Sequence, residues 1–480
     1  MPPEPAVQRK SLLQKPRWVF VAACALCVVA FLGGFFPVQY DYLWDEAVYL
    51  SEAENLFDPD PYYEEFSFRP PLFPILLRLG SYLAPLELAA HLLSAASFAG
   101  GVLFLYLLGV RLFGSRAGLI AAGLMTTTPF FLHWSHKVMT DIVSTTFAII
   151  SLYFLVRHVE EENAGPASAC FSGLLLAIST LTRFVLVLAG ICAVYFFLVR
   201  RLRFRSALWY AGGFLAAVAP YLVWAQVRYG SFLSPFVKAV VIAAGEPVPG
   251  RIYYLEPTCV VAGPLTLLGL LCYAGQGSGR QSARWVTTEV PLWLWYLVFL
   301  VYLSASLHKE VRYILPAIPP LFLLAGWGFS RISSRVGRMA TALAAAILVL
   351  FTLRNLPYFD GRLGLGEEFL LNRSAQACRA AHSLQGRLTS GEVIYTSTLY
   401  PLAGYCSKRK TVALWPQDQS FYEAFPQNMR QDGYLVFFKD VPKEPPRDWL
   451  EARSEFEQVG EYGNILIYKY TLNSPVPPTR

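Results

Sequence analysis

Charge is scarce in this 480-residue chain: Asp, Glu, Lys and Arg together make up only 15% of it, whereas 55% is hydrophobic. The mean hydropathy is +0.41. A soluble protein of this length would expose too much apolar surface at that composition. The scarcity of charge therefore excludes an ordinary soluble protein and favours a polytopic membrane protein.

Cysteine patterns typical of metal sites are also missing. The eight cysteines show no zinc-type spacing, and most lie in apolar runs, where a thiol usually packs like a small hydrophobe. Only Cys378 and Cys406 fall in the region after about residue 355. A disulfide between them stays open, since an outer compartment would permit one.

Apolar runs near the roughly 20 residues that cross a bilayer recur along the chain. They predict about eleven spans, with boundaries uncertain by several residues. We place them near residues 17–37, 86–110, 117–134, 139–157, 169–183, 185–199, 207–226, 258–275, 290–307, 313–329 and 339–353. The first span has no obvious small-residue cleavage site and is interpreted as a retained signal-anchor.

Lys and Arg concentrate on one side of these spans. The N-terminal tail, the loop "RRLRFR" and other alternate loops are basic, whereas the segment 38–68 on the opposite side contains no Lys or Arg. This bias predicts a cytoplasmic N-terminus and an outer C-terminus. The net charge of +7 is largely explained by these anchors and needs no nucleic-acid partner.

The composition changes to that of a soluble domain after about residue 355. The segment "AQACRAAHSLQGRL" has helical spacing, and "EVIYTST", "TVALW", "YLVFFK" and "NILIYKY" are typical of short strands. The predicted organisation is a cytoplasmic tail 1–16, a membrane catalytic domain 17–355 with an outer loop 38–70, and a soluble extracytoplasmic α/β domain 356–480. That last domain shows no nucleophile triad or phosphate-binding loop. We expect it to act as a lid, an acceptor-docking surface or a packing domain.

The outer loop opens with a cluster of carboxylates in "DYLWDEAVYLSEAENLF". Its apolar residues have helical spacing, which predicts an amphipathic helix at the outer interface. Asp45 stands at the start of that helix beside Glu46, where it would serve either as an N-cap or as a catalyst. The later acids, Glu52 through Glu65, are expected to be solvated.

Other polar residues stand at the outer ends of predicted spans, where burial of charge is costly and marks a candidate site. Two of them have a structural alternative: Asp141 would cap a helix, and Arg69 would reach a lipid headgroup. His133 and His136, with their acidic neighbours, are candidate metal ligands, although their spacing is loose. Cations at this depth suit a lipid phosphate. The candidates for that role are Arg69, Arg183, Lys309 and Arg312.

These motifs resemble the GT-C glycosyltransferases, in the branch of protein O-mannosyltransferases and lipid A aminoarabinose transferases. "WDEAVYLSEAENL" is similar to their acidic loop, and "RPPLFPILLRLGSYL" to the basic-Pro-Pro entry to the second span. "MTDIVSTTFAIISLYFL" resembles the segment with a second acid, "LTRFVLVL" the following basic turn, and "HKEVRYILPAIPPLFLLAG" a late basic-Tyr-Leu-Pro segment. The five motifs occur in order over about residues 10–355.

The resemblance implies a GT-C fold and a transferase that takes a sugar from a polyprenyl- or dolichyl-phosphate carrier, with inversion, on the outer or lumenal face. Asp45 would be the base, Glu46 and Asp141 would position it or the acceptor, and the four cations would surround the carrier phosphate. The acceptor would be a hydroxyl or amine of a lipid, glycan or protein. Arg69 and Arg183 replace a common Lys, and Phe184 a frequent Gly, so carrier and sugar stay open.

The resemblance places such an enzyme among membrane lipids, in the cell membrane or, in a eukaryote, in the endoplasmic reticulum. A metal ion is a possible cofactor but is not required, because fixed cations can hold the leaving phosphate. The main alternative is a transporter or flippase for an anionic lipid-linked substrate. Against it, the candidate charges lie almost wholly on one side, and no inverted repeat is evident. A noncatalytic membrane scaffold would leave the clustered charges without a role.

Overall fold

The structure is a computed structural model of the chain. It describes residues 17–36, 42–58, 61–63, 65–161, 165–199, 201–244, 250, 253–275, 283–332, 368–396, 399–414, 429–439 and 447–472, with a few positions between 337 and 350. The predicted tail 1–16 and most of the eleventh predicted span, 339–353, lie outside these residues.

The chain divides into two compact units. The first contains residues 1–38, 67–72 and 91–365, and the second contains residues 39–66, 73–90 and 366–480. The outer loop after the first span therefore groups with the C-terminal domain. Each unit is described by itself below.

The described part of the first unit is mainly helical. In chain order they are α1 (Arg17–Phe35), α4 (Leu86–Phe113), α5 (Ser115–Thr127), α6 (Pro129–Ser135), α7 (Thr140–Glu160), α8 (Pro166–Thr182), α9 (Ile191–Leu198), α10 (Phe204–Tyr229), α11 (Ser234–Ala244), α12 (Leu255–Ala262), α13 (Pro264–Ala274), α14 (Ala283–Ala305) and α15 (Pro319–Ser330). Two 3-10 segments, Phe184–Gly190 and Val311–Ala317, interrupt the series. Helices α2 (Trp44–Asn55) and α3 (Leu72–Gly80) belong with the second unit, to which the start of α4 also contributes.

Several of the predicted spans are broken. Four described helices are long and apolar enough to cross a membrane, or six if each of two bent pairs counts as one span. The pair α12 and α13 bends by 103°, where Gly263 adopts a positive φ of 79° before Pro264. The run 117–134 likewise divides at Pro129 into α5 and α6. The helical membrane domain is confirmed, and the count of eleven spans stays a prediction.

Small and hydroxylated residues bring α7, α8 and α10 close together. The Ser151 hydroxyl donates to the carbonyl of Ser172 at 2.8 Å, and the Ser179 hydroxyl donates to the carbonyl of Ser144 at 2.7 Å. A Cβ atom on Gly213 of α10 would stand 2.0 Å from the carbonyl oxygen of Cys170 in α8. Such close backbone approach is how membrane helices gain packing energy without a hydrophobic driving force.

The second unit contains a five-stranded sheet with helices against it. Its strands are β1 (Val393–Thr396), β2 (Thr411–Ala413), β3 (Gly433–Phe438), β4 (Phe456–Tyr462) and β5 (Ile465–Tyr470), in the order β2-β1-β3-β5-β4. The helices are α2 (Trp44–Asn55), α3 (Leu72–Gly80), α16 (Glu368–Leu384), α17 (Tyr400–Ser407) and α18 (Arg447–Glu451). β1 pairs in parallel with β2 and β3, while β5 is antiparallel to β3 and β4. The predicted α/β domain is confirmed.

The sheet core consists of side chains from the central strands. Every residue of β3 is buried, and Leu435 and Phe437 pack with Tyr395 and Leu466 in one cluster. A disulfide joins Cys378 of α16 to Cys406 of α17. The sequence had left this bond open. The disulfide therefore holds α17 against α16 beside the sheet.

Candidate active site

Helices α7 and α8 bring a carboxylate and a guanidinium together at their ends. They run antiparallel, so the first turn of α7 meets the end of α8, where Arg183 is the C-cap residue. Arg183 Nη1 lies 2.9 Å from Asp141 Oδ1 and 3.3 Å from Thr140 Oγ1. An acid in a first turn and a base after a last turn also suit the two helix dipoles.

The structure gives Asp141 a partner instead of a capping role. The N-cap of α7 is Met139, so the alternative of Asp141 as the cap is wrong. The Asp141 side chain is 1% exposed and that of Arg183 is 18% exposed. The carboxylate is therefore enclosed while the guanidinium keeps an open side, and Asp141 serves to hold Arg183.

A second arginine and carboxylate pair follows α14. Arg312 Nε lies 2.6 Å from Glu310 Oε2, and His308 Nε2 lies 3.0 Å from Glu310 Oε1. The Tyr313 hydroxyl donates to the same carboxylate at 2.9 Å. Burial raises the pKa of Glu310, but Arg312 and these hydrogen bonds outweigh it and hold the pKa well below its usual range. The carboxylate therefore stays ionised.

One aromatic ring joins the two arginines. The Arg183 guanidinium lies 4.7 Å from the centroid of the Tyr313 ring, and that of Arg312 lies 5.6 Å from it. Arg312 also lies 5.4 Å from the Trp134 ring. We call Asp141, Arg183, Glu310, Arg312 and Tyr313 the arginine cluster. Two guanidinium groups fixed on one ring are suited to an anion with several oxygens, such as a phosphate.

The two other predicted cations are Lys309 and Arg69. Lys309 is buried, at 8% exposure, between His308 and Glu310 in the chain. Arg69 is partly buried, with its guanidinium 5.3 Å from the Phe68 ring. Of the four predicted phosphate-binding residues, Arg183 and Arg312 are brought together on the Tyr313 ring.

The two candidate metal ligands form a histidine pair. The rings of His133 and His136 are 5.2 Å apart between centroids. Burial, with Lys137 nearby, lowers the pKa of His136 to about 4. No group of three or more His, Cys, Asp and Glu side chains suited to a metal occurs among the described residues. The pair alone supplies too few ligands for a structural zinc site.

Asp45 and Glu46 lie in the first turn of α2, in the second unit. The N-cap is Leu43, so the alternative of Asp45 as the N-cap is wrong. Glu46 instead accepts a hydrogen bond from the backbone N–H of Leu43 at 2.9 Å, which caps the helix start. Glu46 is 2% exposed whereas Asp45 is only partly buried. Glu46 therefore supports the turn that presents Asp45.

The expectation that Glu52 is solvated is wrong. Its side chain is 0% exposed, and nearly all of α2 from Glu46 onward is buried. Helix α17 packs on α2 in the same unit. The spacing of apolar residues within α2 does not reveal this burial, because the partner helix is distant in sequence. Glu54 in contrast stays partly exposed and forms an ion pair with Lys408 at 2.6 Å.

Sequence reasoning missed the groups that hold the arginines. Glu310 appears in "HKEVR", but only its basic neighbours were assigned to the site. Tyr313 and Trp134 were not assigned a role, although an aromatic residue directly after Arg312 is a signal for guanidinium stacking. Tyr254 was missed as well: its hydroxyl donates to the backbone carbonyl of Glu310 at 2.9 Å. It lies directly before α12, far away in sequence from Glu310.

Comparison with known proteins gave one family model and several solved structures. Residues 68–224 match the family model described as dolichyl-phosphate-mannose-protein mannosyltransferase. None of the curated proteins is similar enough to match the chain. Solved structures match over most of the chain at low identity, and such likeness establishes the fold.

Among these structures is ArnT from Cupriavidus metallidurans bound to undecaprenyl phosphate, with a TM-score of 0.71 and 18% identity over 94% of this chain and 98% of that one. The Archaeoglobus fulgidus oligosaccharyltransferase AglB, in complex with an inhibitory peptide and a dolichol-phosphate, has a TM-score of 0.58 and 13% identity over 87% of this chain and 69% of that one. The mycobacterial arabinofuranosyltransferase AftD has a TM-score of 0.55 and 16% identity over 96% and 42%.

Proposed function

We propose that the chain is a GT-C superfamily protein of the protein O-mannosyltransferase and ArnT type, and that it transfers a sugar from a polyprenyl- or dolichyl-phosphate carrier to an acceptor hydroxyl or amine. The observation that carries this proposal is the arginine cluster, in which Arg183 and Arg312 share the Tyr313 ring while each keeps a carboxylate partner. The phosphate carriers bound by the ArnT and AglB structures agree with such a site.

In the proposed reaction, Asp45 takes the proton from the acceptor O–H or N–H as that atom attacks the anomeric carbon. The bond between the anomeric carbon and the carrier phosphate breaks, and its electron pair leaves on the phosphate oxygen. Attack opposite the leaving group inverts the anomeric centre. Arg183 and Arg312 stabilise the charge that develops on the phosphate, so no acid is needed to protonate it.

The carboxylates of the site have different tasks in this proposal. Asp141 and Glu310 fix the two guanidinium groups in advance, which removes the need to order them when the carrier binds. Glu46 holds the first turn of α2. Arg69 and Lys309 add positive charge around the carrier phosphate. No metal ion is required by this scheme.

We place the reaction on the outer face of the cell membrane, or on the lumenal face of the endoplasmic reticulum in a eukaryote. The Cys378–Cys406 disulfide supports an oxidising compartment for the C-terminal domain. The basic loops support a cytoplasmic N-terminus, with about eleven spans across the bilayer. The sugar and the acceptor are to be found by experiment.

A transfer assay separates this function from transport of an anionic lipid. Purified protein in detergent would be given undecaprenyl and dolichyl phosphates that carry mannose, glucose or arabinose, with a membrane extract as acceptor. We expect mass spectrometry to show free polyprenyl phosphate and a glycosylated acceptor without any bilayer. Movement of the labelled lipid across sealed vesicles, with no release of polyprenyl phosphate, would instead identify a flippase.

A further inference from the structure

Helix α17 of the C-terminal domain has an unusual backbone at both ends. Leu399 precedes it with φ of 52° and Lys408 follows it with φ of 54°. These are the two non-glycine residues with positive φ in the described part of the chain. A bulky residue rarely adopts this conformation, and such strain tends to occur where a functional element must be held in one place.

The side chains of α17 and its last flanking residue reach three carboxylates. The Tyr400 hydroxyl donates to Glu65 Oε1 at 2.7 Å. The Tyr405 hydroxyl donates to Glu87. Lys408 Nζ, just after the helix, lies 2.6 Å from Glu54 Oε1. Residues far apart in sequence are thus tied to one short helix.

The two tyrosine rings pack on the start of α2. The Tyr400 ring meets Trp44 edge-on with 4.7 Å between centroids, and the Tyr405 ring meets Tyr42 edge-on at 5.7 Å. Tyr42 and Trp44 stand directly before Asp45. Lys408 holds the other end of α2 through Glu54. Both ends of the helix that carries Asp45 are therefore fixed by α17.

The helix between these contacts is enclosed. Residues 401–407 are buried, and the Cys378–Cys406 disulfide attaches the helix to α16. Burial, and then the Glu87 carboxylate, raise the pKa of Tyr405 far above its usual value. The phenol therefore stays protonated and remains a donor.

We propose that Tyr400 and Tyr405 are positioning residues for Asp45, and that the C-terminal domain is part of the catalytic unit through α17. This inference rests on the proposed function, in which Asp45 is the base. It assigns the domain a task that a lid or an acceptor-docking surface would not require: the rings and hydroxyls of α17 set the orientation of the first turn of α2. A base displaced by a fraction of an ångström loses much of its effect on the rate.

The test compares Tyr400→Phe, Tyr400→Ala and Tyr405→Phe with a matched control, Tyr395→Phe. Tyr395 lies in the core of the same domain, and its hydroxyl donates to the Gln431 carbonyl instead of the outer loop. Hydrogen exchange of the full-length protein in detergent would report on residues 44–55, and the transfer assay would give kcat, KM for the donor and the pH profile of kcat. The phenylalanine variants keep the ring and remove only the hydroxyl, so the comparison survives if Tyr400→Ala does not fold.

We expect faster hydrogen exchange over residues 44–55 in the Tyr400 and Tyr405 variants. The kcat should fall by about 10–100-fold in Tyr400→Ala and by less in the two phenylalanine variants. The KM for the donor should stay unchanged. The acid limb of the pH profile should shift in these variants and not in Tyr395→Phe. Unchanged hydrogen exchange over residues 44–55, or a decrease in kcat equal to that of Tyr395→Phe, would overturn the inference. If Asp45→Asn kept full activity, the assignment of Asp45 as the base would fail, and the exchange result would still show whether α17 holds α2.

Discussion

In the proposed mechanism, the side chains of the arginine cluster have two tasks: the guanidinium groups contact the substrate, and the carboxylates hold the guanidinium groups in place. Arg183 and Arg312 keep 18% and 10% of their side chains exposed, whereas Asp141 is enclosed. A buried charge without its partner is costly, so the carboxylates stabilise the guanidinium groups in the absence of any ligand. Both kinds of residue are needed, but their loss should affect the kinetics differently.

Replacement of Arg312 tests the first kind. Arg312→Gln removes charge-assisted hydrogen bonds to the carrier phosphate, each worth about 1.5–3 kcal/mol, so we expect kcat/KM for the donor to fall by about 10–100-fold. Arg331→Gln is the matched control, since Arg331 also stacks on a tryptophan, with 4.9 Å from its guanidinium to the Trp327 ring. Steady-state kinetics with each donor measure the effect. Equal values for the two variants would count against a phosphate site at Arg312.

His136 predicts a pH dependence of stability. Its pKa is about 4 in the folded protein, below the ordinary value of 6.5, because burial and Lys137 oppose the charged form. The unfolded chain therefore binds the proton first, and stability falls as pH decreases from 6.5 towards 4. We expect the melting midpoint of the detergent-solubilised protein to drop less over this range in His136→Gln than in the wild type. The exposed His382 gives the control, His382→Gln; identical pH profiles for the two variants would refute the assignment.

At the scale of helices, close glycine contacts set the distance between α8 and α10. Gly213 of α10 faces Cys170 of α8, the helix that ends beside Arg183. The adjacent Gly212 has no atom within 4 Å of the position that a Cβ would take.

The two glycines give a matched pair of substitutions. Gly213→Ala would place a Cβ 2.0 Å from the Cys170 carbonyl oxygen and should destabilise the protein by about 1–3 kcal/mol, seen as a lower melting midpoint. Gly212→Ala has room and improves helix propensity, so its midpoint should stay level or rise slightly. A lower midpoint for Gly212→Ala than for Gly213→Ala would mean that α8 and α10 do not pack in this way.

Much of the element pattern could be predicted from the sequence, and the failures have clear physical causes. Strong apolar periods predicted the long helices and the buried strands β1, β3 and β5. Strand β4 was missed because most of its residues are exposed or half-buried at the sheet edge, which leaves little apolar alternation. Helix α17 was missed because "YPLAGYCS" contains Pro401 and Gly404, and its burial comes from partners distant in sequence.

The candidate site was predicted only in part for a similar reason. Motif resemblance pointed to Asp45, Asp141, Arg183 and Arg312, because residue type and order are visible in a sequence. The partners Glu310 and Tyr313 depend on how separate segments meet, and Glu52 was misjudged because burial is a tertiary property.

The chain as a whole combines a helical membrane domain with a disulfide-bonded α/β domain. Six other cysteines are free in the structure. The one disulfide thus reports the compartment of the C-terminal domain, since the reducing cytosol would not maintain it. Orientation can therefore be read from thiol chemistry in intact cells.

Thiol labelling tests that orientation. After free thiols are blocked under denaturing conditions, reduction should release two further thiols in the wild type and none in the matched pair Cys378→Ser and Cys406→Ser. The reason is that both partners of the bond are required for its formation. Labelling of all eight cysteines before reduction would place the C-terminal domain in a reducing compartment and contradict the proposed topology.

The central claim is that Asp45 acts as the base in transfer of a lipid-linked sugar, and one rate tests it most directly. The measurement is the initial rate of polyprenyl phosphate release by purified Asp45→Asn relative to wild type, with the acceptor saturating. A lost general base predicts a decrease of about 10²–10⁴-fold in kcat, with the donor KM and the melting midpoint unchanged. A variant that releases polyprenyl phosphate at the wild-type rate would contradict the account.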